Sequence, residues 1–471
     1  MASTIGHLAR RRLHSVGTVP QWAAYARRGV PVSSDSVVTH VVAALAVVIA
    51  TSSALGAAAR RLGQPPVVGQ LFAGIALGPS LLGLLPGRVY ETLFPAEIQP
   101  ILTSFAQVAL VLFLFAVGYE LDLGLLRGRR AVATVSLGGF VVPMAMGAGL
   151  VLLLPEAFEA VNGGRPVDAT FTLYMAVALS ITAVPVLASI IKDQGLAGTV
   201  PGTVAMAAAG VIDALSWPVL AVVLVGGAQG SLRDWLVKAA LLAVYVLVML
   251  FVVRPLLAWW KDRAGTRVSH QIPVAVSVAL ASAWATNALG LHVIFGALLA
   301  GVVMPRRSDG TPDGSLLRPL QEAGGLLLPV FFAVSGMAVA LDGLHGSDLL
   351  LLVVICAAAV VSKVASGTLA ARGVRIPWRD SLLIGVLLNT RGLTELIVLN
   401  VGLAAGVIGP GLYALLVVMA LLTTAAAGPL IRLLRRPAKG RPASTATPPE
   451  TLPGQGAEAG PVPTADAAPL P

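Results

Sequence analysis

Leu388-Asn389-Thr390-Arg391-Gly392-Leu393-Thr394-Glu395-Leu396 (388–396) is the stretch that decides how this chain is read. An arginine and a glutamate stand inside an apolar segment, about 379–402, long enough to span a bilayer. A charge at membrane depth costs about 3 kcal/mol or more on insertion scales, so it is seldom there without a task. In a helix the i,i+4 spacing puts Arg391 and Glu395 on one face, able to pair. Gly392 and the polar pair Asn389-Thr390 argue for a break in the helix at this point. Two further charges, Asp213 and Lys363, lie equally deep in other apolar segments. Two acids and two bases sum to zero, so the interior is neutral if they pair. That pattern suggests an ion or proton pathway rather than a passive anchor.

The rest of the chain supports a membrane setting. Of 471 residues, 56% are hydrophobic and 11% charged, and the mean hydropathy is +0.86. A soluble chain of this length cannot hide so much apolar surface, so the fold class is an all-α polytopic membrane protein. Aromatic residues are few, so helix contacts should lean on the 50 glycines, which let backbones approach closely. The net charge of +10 does not mark a nucleic-acid binder, because the basic residues fall at the ends of apolar segments. One cysteine, Cys356, excludes an internal disulfide. No Walker A, His/Cys zinc cluster or Gly-x-Ser-x-Gly elbow is present, so no cofactor and no enzymatic activity are expected.

Hydropathy places thirteen spans at about 36–58, 66–84, 101–119, 131–154, 168–192, 202–225, 233–256, 271–288, 291–305, 318–340, 348–371, 379–402 and 409–433. The second and ninth are short. Residues 1–35 read as a disordered basic arm and 436–471 as a disordered Pro/Ala-rich tail, too short for an appended regulatory domain. Odd-numbered loops and the C-terminus carry 21 lysines and arginines, and even-numbered loops carry three, Arg88, Arg165 and Arg233. The positive-inside rule then puts the C-terminus in the cytoplasm and the N-terminus outside, although the arginines of the arm pull the other way.

The membrane domain, 36–435, repeats itself. Leu71-Phe72-Ala73-Gly74-Ile75 in the second span matches Leu298-Leu299-Ala300-Gly301-Val302 in the ninth. Leu114-Phe115-Ala116-Val117 in the third matches Phe331-Phe332-Ala333-Val334 in the tenth. The break-prone Ser180-Ile181-Thr182-Ala183-Val184-Pro185 in the fifth stands opposite Asn389-Thr390-Arg391-Gly392 in the twelfth. Each pair lies seven spans apart, an odd number, so partners cross in opposite directions. This is an inverted-topology repeat (about 36–225 and 271–433, joined by a linker helix at 233–256), a design tied to secondary transporters with a midplane site.

Asp213 lies about eleven residues into its span, about 16 Å along a helix at 1.5 Å per residue, close to the bilayer centre. A carboxylate that alternates between a proton and a cation must be dry enough to hold the one and wet enough to release the other. The structural alternative is an aspartate locked to a lysine or arginine. Lys363 is a candidate counter-ion of Asp213, or else a lysine that snorkels to the surface. Arg391 and Glu395 read equally as a structural ion pair or as groups in direct contact with the ion. Carbonyls freed around Thr182, Pro185, Asn389 and Thr390 would line a cavity between the two broken helices. Glu120 and Asp122 read as a solvated funnel mouth, and Lys238 as a snorkelling lysine. His40, His292 and His345, near span ends, read as pH sensors or, more commonly for surface histidines, as residues with no such role.

Five stretches, 69–83, 182–196, 294–306, 328–337 and 388–403, together resemble the monovalent cation:proton antiporter-2 family, which includes Kef-type and NapA-type exchangers. The resemblance covers about 36–435. It implies the thirteen-helix sodium/proton-antiporter fold, a homodimer in the cell membrane, and a mobile core from spans four to six and eleven to thirteen. It implies exchange of a monovalent cation, Na⁺ or K⁺, for H⁺, with Asp213 as the essential carboxylate. One departure stands beside it. The family usually has Asp, Asn or Gln just before that aspartate, and here the position is Ile212, which removes one possible cation ligand. A uniporter or a transport-inactive paralogue of the same fold is the alternative. An intramembrane aspartyl protease built on Asp213 and Glu395 is not favoured, because inverted repeats and buried basic residues do not suit it.

Overall fold

A computed structural model describes residues 34–120, 130–226, 232–264, 268–289, 292–307, 310–339 and 346–435. The arm, except its last two residues, and the tail lie outside these described residues, as do Asp122 and His345. Each predicted span becomes a helix or a broken pair of helices. These are α1 (Ser34–Arg61), α2 (Pro66–Leu77), α3 (Gln99–Glu120), α4 (Arg130–Leu153), α5 and α6 (Ala169–Ser180 and Val184–Asp193), and α7 (Val200–Gly226). The linker is α8 (Leu232–Val248), a π turn at Met249–Val253, and α9 (Arg254–Ala264). The second half holds α10 (Val268–Ala288), α11 (Val293–Val303), α12 (Gly314–Met337), α13 (Gly346–Gly373), α14 and α15 (Trp378–Leu388 and Leu393–Ala404), and α16 (Pro410–Arg435).

Eleven of these segments are long and apolar enough to cross a membrane, and the chain is a multi-pass membrane protein. The exceptions are α10 and the short α11, which pack on each other and on α3. Two boundaries differ from expectation. The second helix stops at Leu77 rather than 84, because Gly78 caps it and Pro79 follows, and the chain resumes as a single 3₁₀ turn at Leu82–Leu84. The linker helix runs on to Ala264, past the predicted 256, by absorbing an extra residue per turn at the π turn.

The predicted repeat is visible in the packing. Helix α2 lies on α12 and α3 lies on α11; α1 lies on α2 and α10 on α11; α4 lies on α5 and α13 on α14. Each pair is the other's counterpart under the seven-span shift. The closest approaches repeat as well. A Cβ on Gly118 of α3 would stand 2.1 Å from the Leu298 carbonyl oxygen, and one on Gly301 of α11 would stand 2.1 Å from that of Phe115. In the other pair, a Cβ on Gly336 would stand 2.5 Å from the Leu71 oxygen, and one on Gly74 would stand 2.4 Å from that of Ala333. Only glycine permits such backbone contact, which is how helices adhere where lipid offers no hydrophobic driving force. Helices α1–α3 and α10–α12 thus form one group, and α4–α7 with α13–α15 form another, which carries the interior charges.

Candidate functional site

The two broken helices cross at the middle of the second group. Helix α5 ends at Ser180, the backbone is extended at Ile181 and Ala183, and Pro185 opens α6. Proline suits a first helical turn because its missing N–H would be unsatisfied there anyway. Helix α14 ends at Leu388, and α15 starts after Gly392, whose φ of 154° lies in a region reserved for glycine. A Cβ on Gly392 would meet Val186 Cγ2 at 2.6 Å, so the two breaks touch there. They are also joined by backbone, through the Ala183 amide donating to the Thr390 carbonyl at 3.2 Å.

A helix that stops inside a membrane leaves orphan carbonyls with no water to meet them. At the end of α5, side chains from elsewhere take that role. Arg391 Nη1 donates to the Ala178 carbonyl at 3.2 Å, and its Nη2 donates to that of Leu179 at 2.9 Å. Lys363 Nζ donates to the Ser180 carbonyl, to Thr182 Oγ1 at 2.8 Å, and to the Gly139 carbonyl of α4 at 3.0 Å. Both cations thus sit at the negative end of the α5 dipole. At the end of α14 the groups are neutral. Thr182 Oγ1 donates to the Leu388 carbonyl at 3.0 Å, Thr390 Oγ1 to that of Leu387 at 2.9 Å, and the Asn389 amide to that of Val386 at 3.2 Å.

Arg391 and Glu395 pair as their spacing suggests, Nη1 to Oε1 at 2.6 Å, with both side chains wholly buried. Thr424 of α16 clamps the same point. Its hydroxyl accepts from the Arg391 amide at 3.0 Å and donates to the Arg391 carbonyl at 2.7 Å. Lys363 is also fully buried, so it does not snorkel. Nor does it pair with Asp213, because its three donors meet the three oxygens named above.

Asp213 is 3% exposed, and its Oδ1 has no hydrogen-bond partner among the described residues. It projects from α7, which packs on α4 and on α5 and α14, two of the helices that form the crossing. Pro218 lies inside α7 and lacks an N–H, so the Ala214 carbonyl beside Asp213 loses its helical donor. Trp217, one turn on, buries an Nε1–H that also has no partner among the described residues. Ile212 points elsewhere. A Cβ on Gly139 would meet its Cδ1 at 3.2 Å, so it packs over the residue whose carbonyl receives Lys363. The arrangement therefore holds two cations bonded to the end of α5, Lys363 through its Nζ and Arg391 through both terminal nitrogens, and one buried acid, Asp213, with no cation bonded to it.

Thr424, Gly139 and Ser180 escape a search for charges. Gly139 and Ser180 act through backbone carbonyls, which leave no mark in a sequence. Thr424 belongs to a polar pair, Thr423-Thr424, within an apolar run, and a search for hydroxyls at depth would find it. Of the peripheral residues, Glu120 is exposed and accepts from Gln321 Nε2 at 2.8 Å, Lys238 is half-buried, and His292 precedes α11.

Residues 46–435 match the family model for the transmembrane sodium/hydrogen exchanger. The chain is 36% identical over 413 residues to Cation/H(+) antiporter 20 of Arabidopsis thaliana, covering 84% of this chain and 48% of that protein. It is 32% identical over 397 residues to Na(+)/H(+) antiporter NhaS4 of Synechocystis sp., covering 83% and 96%. It is 31% identical over 383 residues to K(+)/H(+) antiporter 1 of Saccharomyces cerevisiae, covering 79% and 43%. The chain thus spans about half the length of the plant and yeast relatives. Among solved structures, the sodium proton antiporter MjNhaP1 from Methanocaldococcus jannaschii superposes with a TM-score of 0.63 at 14% identity, over 85% of this chain and 100% of that one. That likeness establishes a shared fold.

Proposed function

The chain belongs to the sodium/hydrogen exchanger family, and we propose that it exchanges a monovalent cation, Na⁺ or K⁺, for H⁺ by alternating access. The carrying observation is Asp213, a buried carboxylate left unpartnered at the crossing while Lys363 and Arg391 are both engaged. Asp213 holds either a proton or the cation, and the helix group that contains it carries the occupant between the two faces. Coupling is competition, since the same oxygens cannot serve both ions at once. The names of the similar proteins, which cite cations, sodium and potassium, support this reading and leave the choice between the two ions open.

The geometry also supports a one-for-one exchange. The Lys363 nitrogen is held by three oxygens at the end of α5, which keeps it away from Asp213 and out of the exchange. Ile212 adds no second ligand. One proton on Asp213 is then traded for one cation, and no net charge crosses per cycle. Arg391, Glu395, Thr182, Pro185, Asn389 and Thr390 position the crossing. The protein works as a homodimer in the cell membrane, with the arginine-rich loops and the C-terminus in the cytoplasm and the N-terminus outside.

Purified protein in proteoliposomes tests the reading. Imposed gradients of Na⁺, K⁺, Rb⁺ and Li⁺ should each be compared for proton counter-movement across pH. Proton flux driven by Na⁺ or K⁺, without a sustained current, is expected. Cation movement with no proton counterflow would make the protein a uniporter, and no flux of either ion would make it an inactive paralogue.

A further inference from the structure

We propose that Ser335, Asn400 and Tyr413 form a latch that closes the face opposite the arginine-rich loops and must open once in every transport cycle. The proposal rests on the alternating-access reading above and adds the residues that hold one of its states. Asn400 Nδ2 of α15 donates to Ser335 Oγ of α12 at 2.9 Å, and Tyr413 Oη of α16 donates to the Ser335 carbonyl at 2.9 Å. Ser335 and Tyr413 are buried, and Asn400 is half-buried. All three lie toward the same face. Helix α12 runs from the loop after Arg306 and Arg307 and reaches Ser335 near its far end. Helix α15 leaves the central break and carries Asn400 toward its far end, and α16 begins there with Tyr413 in its first turn. The bonds tie a helix of the outer group to two helices that carry the crossing.

The repeat offers an internal control. The matching close approaches, Gly118 on the Leu298 carbonyl and Gly336 on that of Leu71, set Ser335 opposite Val117. Valine has no polar group to bond with. Among the described residues, the first repeat therefore has no side-chain bond at the position that matches Ser335. A small crevice lies between Val67, Val68 and Leu71 of α2 and Arg391, Ala420 and Thr424 of the crossing and α16. One tie persists on that side, Gln64 Nε2 to the Ala425 carbonyl at 3.1 Å. The two faces are thus held by different contacts, Ser335 with Asn400 and Tyr413 on one and Gln64 on the other.

Two experiments test the latch. In a Cys356→Ala background, Ser335→Cys and Asn400→Cys are bridged with a short bifunctional thiol reagent, and exchange is measured before and after. Loss of at least 90% of the flux, with recovery on cleaving the bridge, is expected; undiminished flux in the bridged protein would overturn the latch. If the double variant is silent before bridging, Tyr413→Phe decides by amide hydrogen exchange, which needs no transport. Removing a hydrogen bond of ordinary strength should raise exchange about fivefold at 330–337 and leave 112–119 unchanged; unaltered protection at 330–337 would overturn the latch. Failure of the transport reading itself would appear separately, as absent proton flux in the unmodified protein.

Discussion

The two helix breaks solve one physical problem by different means. Each leaves carbonyls facing a dry interior. The break after α5 draws in two cations from other parts of the chain, Lys363 from α13 and Arg391 from the opposite break. The break after α14 is satisfied by threonine hydroxyls and local amides. The repeats thus share a backbone plan while their electrostatics differ. Positive charge is fixed at one helix end, Glu395 balances part of it, and Asp213 is the buried acid with no cation bonded to it. A symmetric pair of breaks, both capped by hydroxyls, would leave the interior with a net negative charge and no fixed cations to set against it.

The largest test removes the cation that belongs to one break and caps the other. Arg391→Ala strips Ala178 and Leu179 of their donor and leaves Glu395 buried without its partner. Breaking a buried ion pair costs about 3–5 kcal/mol, so thermal unfolding in detergent should occur far earlier than in the parent protein. A melting curve equal to the parent's would mean that hydroxyls and water serve as well as the guanidinium.

Lys363→Met keeps the length of the side chain and removes the ammonium. Three oxygens, on Gly139, Ser180 and Thr182, lose a charged donor. At about 1–3 kcal/mol per unsatisfied buried group, with partial relaxation, a loss of about 3 kcal/mol is expected. Urea or thermal denaturation followed by tryptophan fluorescence measures it. If stability holds and transport changes, Lys363 acts on the ion rather than on the helix end.

Gly392→Ala probes where the two breaks touch. The backbone angle there disfavours a side chain, and the new methyl would collide with Val186. Strain of about 2 kcal/mol is expected, read as a lower melting temperature. Gly87→Ala offers a comparison at a positive-φ turn with open space around it, and it should cost less.

Thr182→Val gives the smallest effect and separates the two modes of capping. It removes the donor to the Leu388 carbonyl and one acceptor of Lys363 while keeping the shape. A loss of about 1 kcal/mol is expected, and the matching Thr390→Val should cost a similar amount. A much larger loss in Thr182→Val alone would show that the lysine, rather than the hydroxyl bond to α14, depends on Thr182.

Hydropathy, proline and glycine make most of this fold legible in the chain. The break before Pro185 and the break at Gly392 are written in residue types whose backbone restrictions are absolute. The second span runs over 66–84 as expected, but the regular helix within it ends at Leu77, because averaged hydropathy runs through Gly78-Pro79 into the apolar turn that follows. The four interior charges stand out because charge at depth is costly. Their partners do not, apart from the i,i+4 pair, because pairing across helices depends on packing. Lys363 and Asp213 look like a natural couple by charge alone, yet the lysine is nearer to the end of α5 and bonds there. Asn400 and Ser335 are neutral, and a search by charge passes over them.

The central claim is that Asp213 alone carries the exchanged ion. Asp213→Asn keeps the shape and removes the titratable charge. In proteoliposomes with a Na⁺ or K⁺ gradient, the variant should show no cation-driven proton flux while eluting and melting like the parent protein. Cation-driven proton flux undiminished in Asp213→Asn would contradict the account outright.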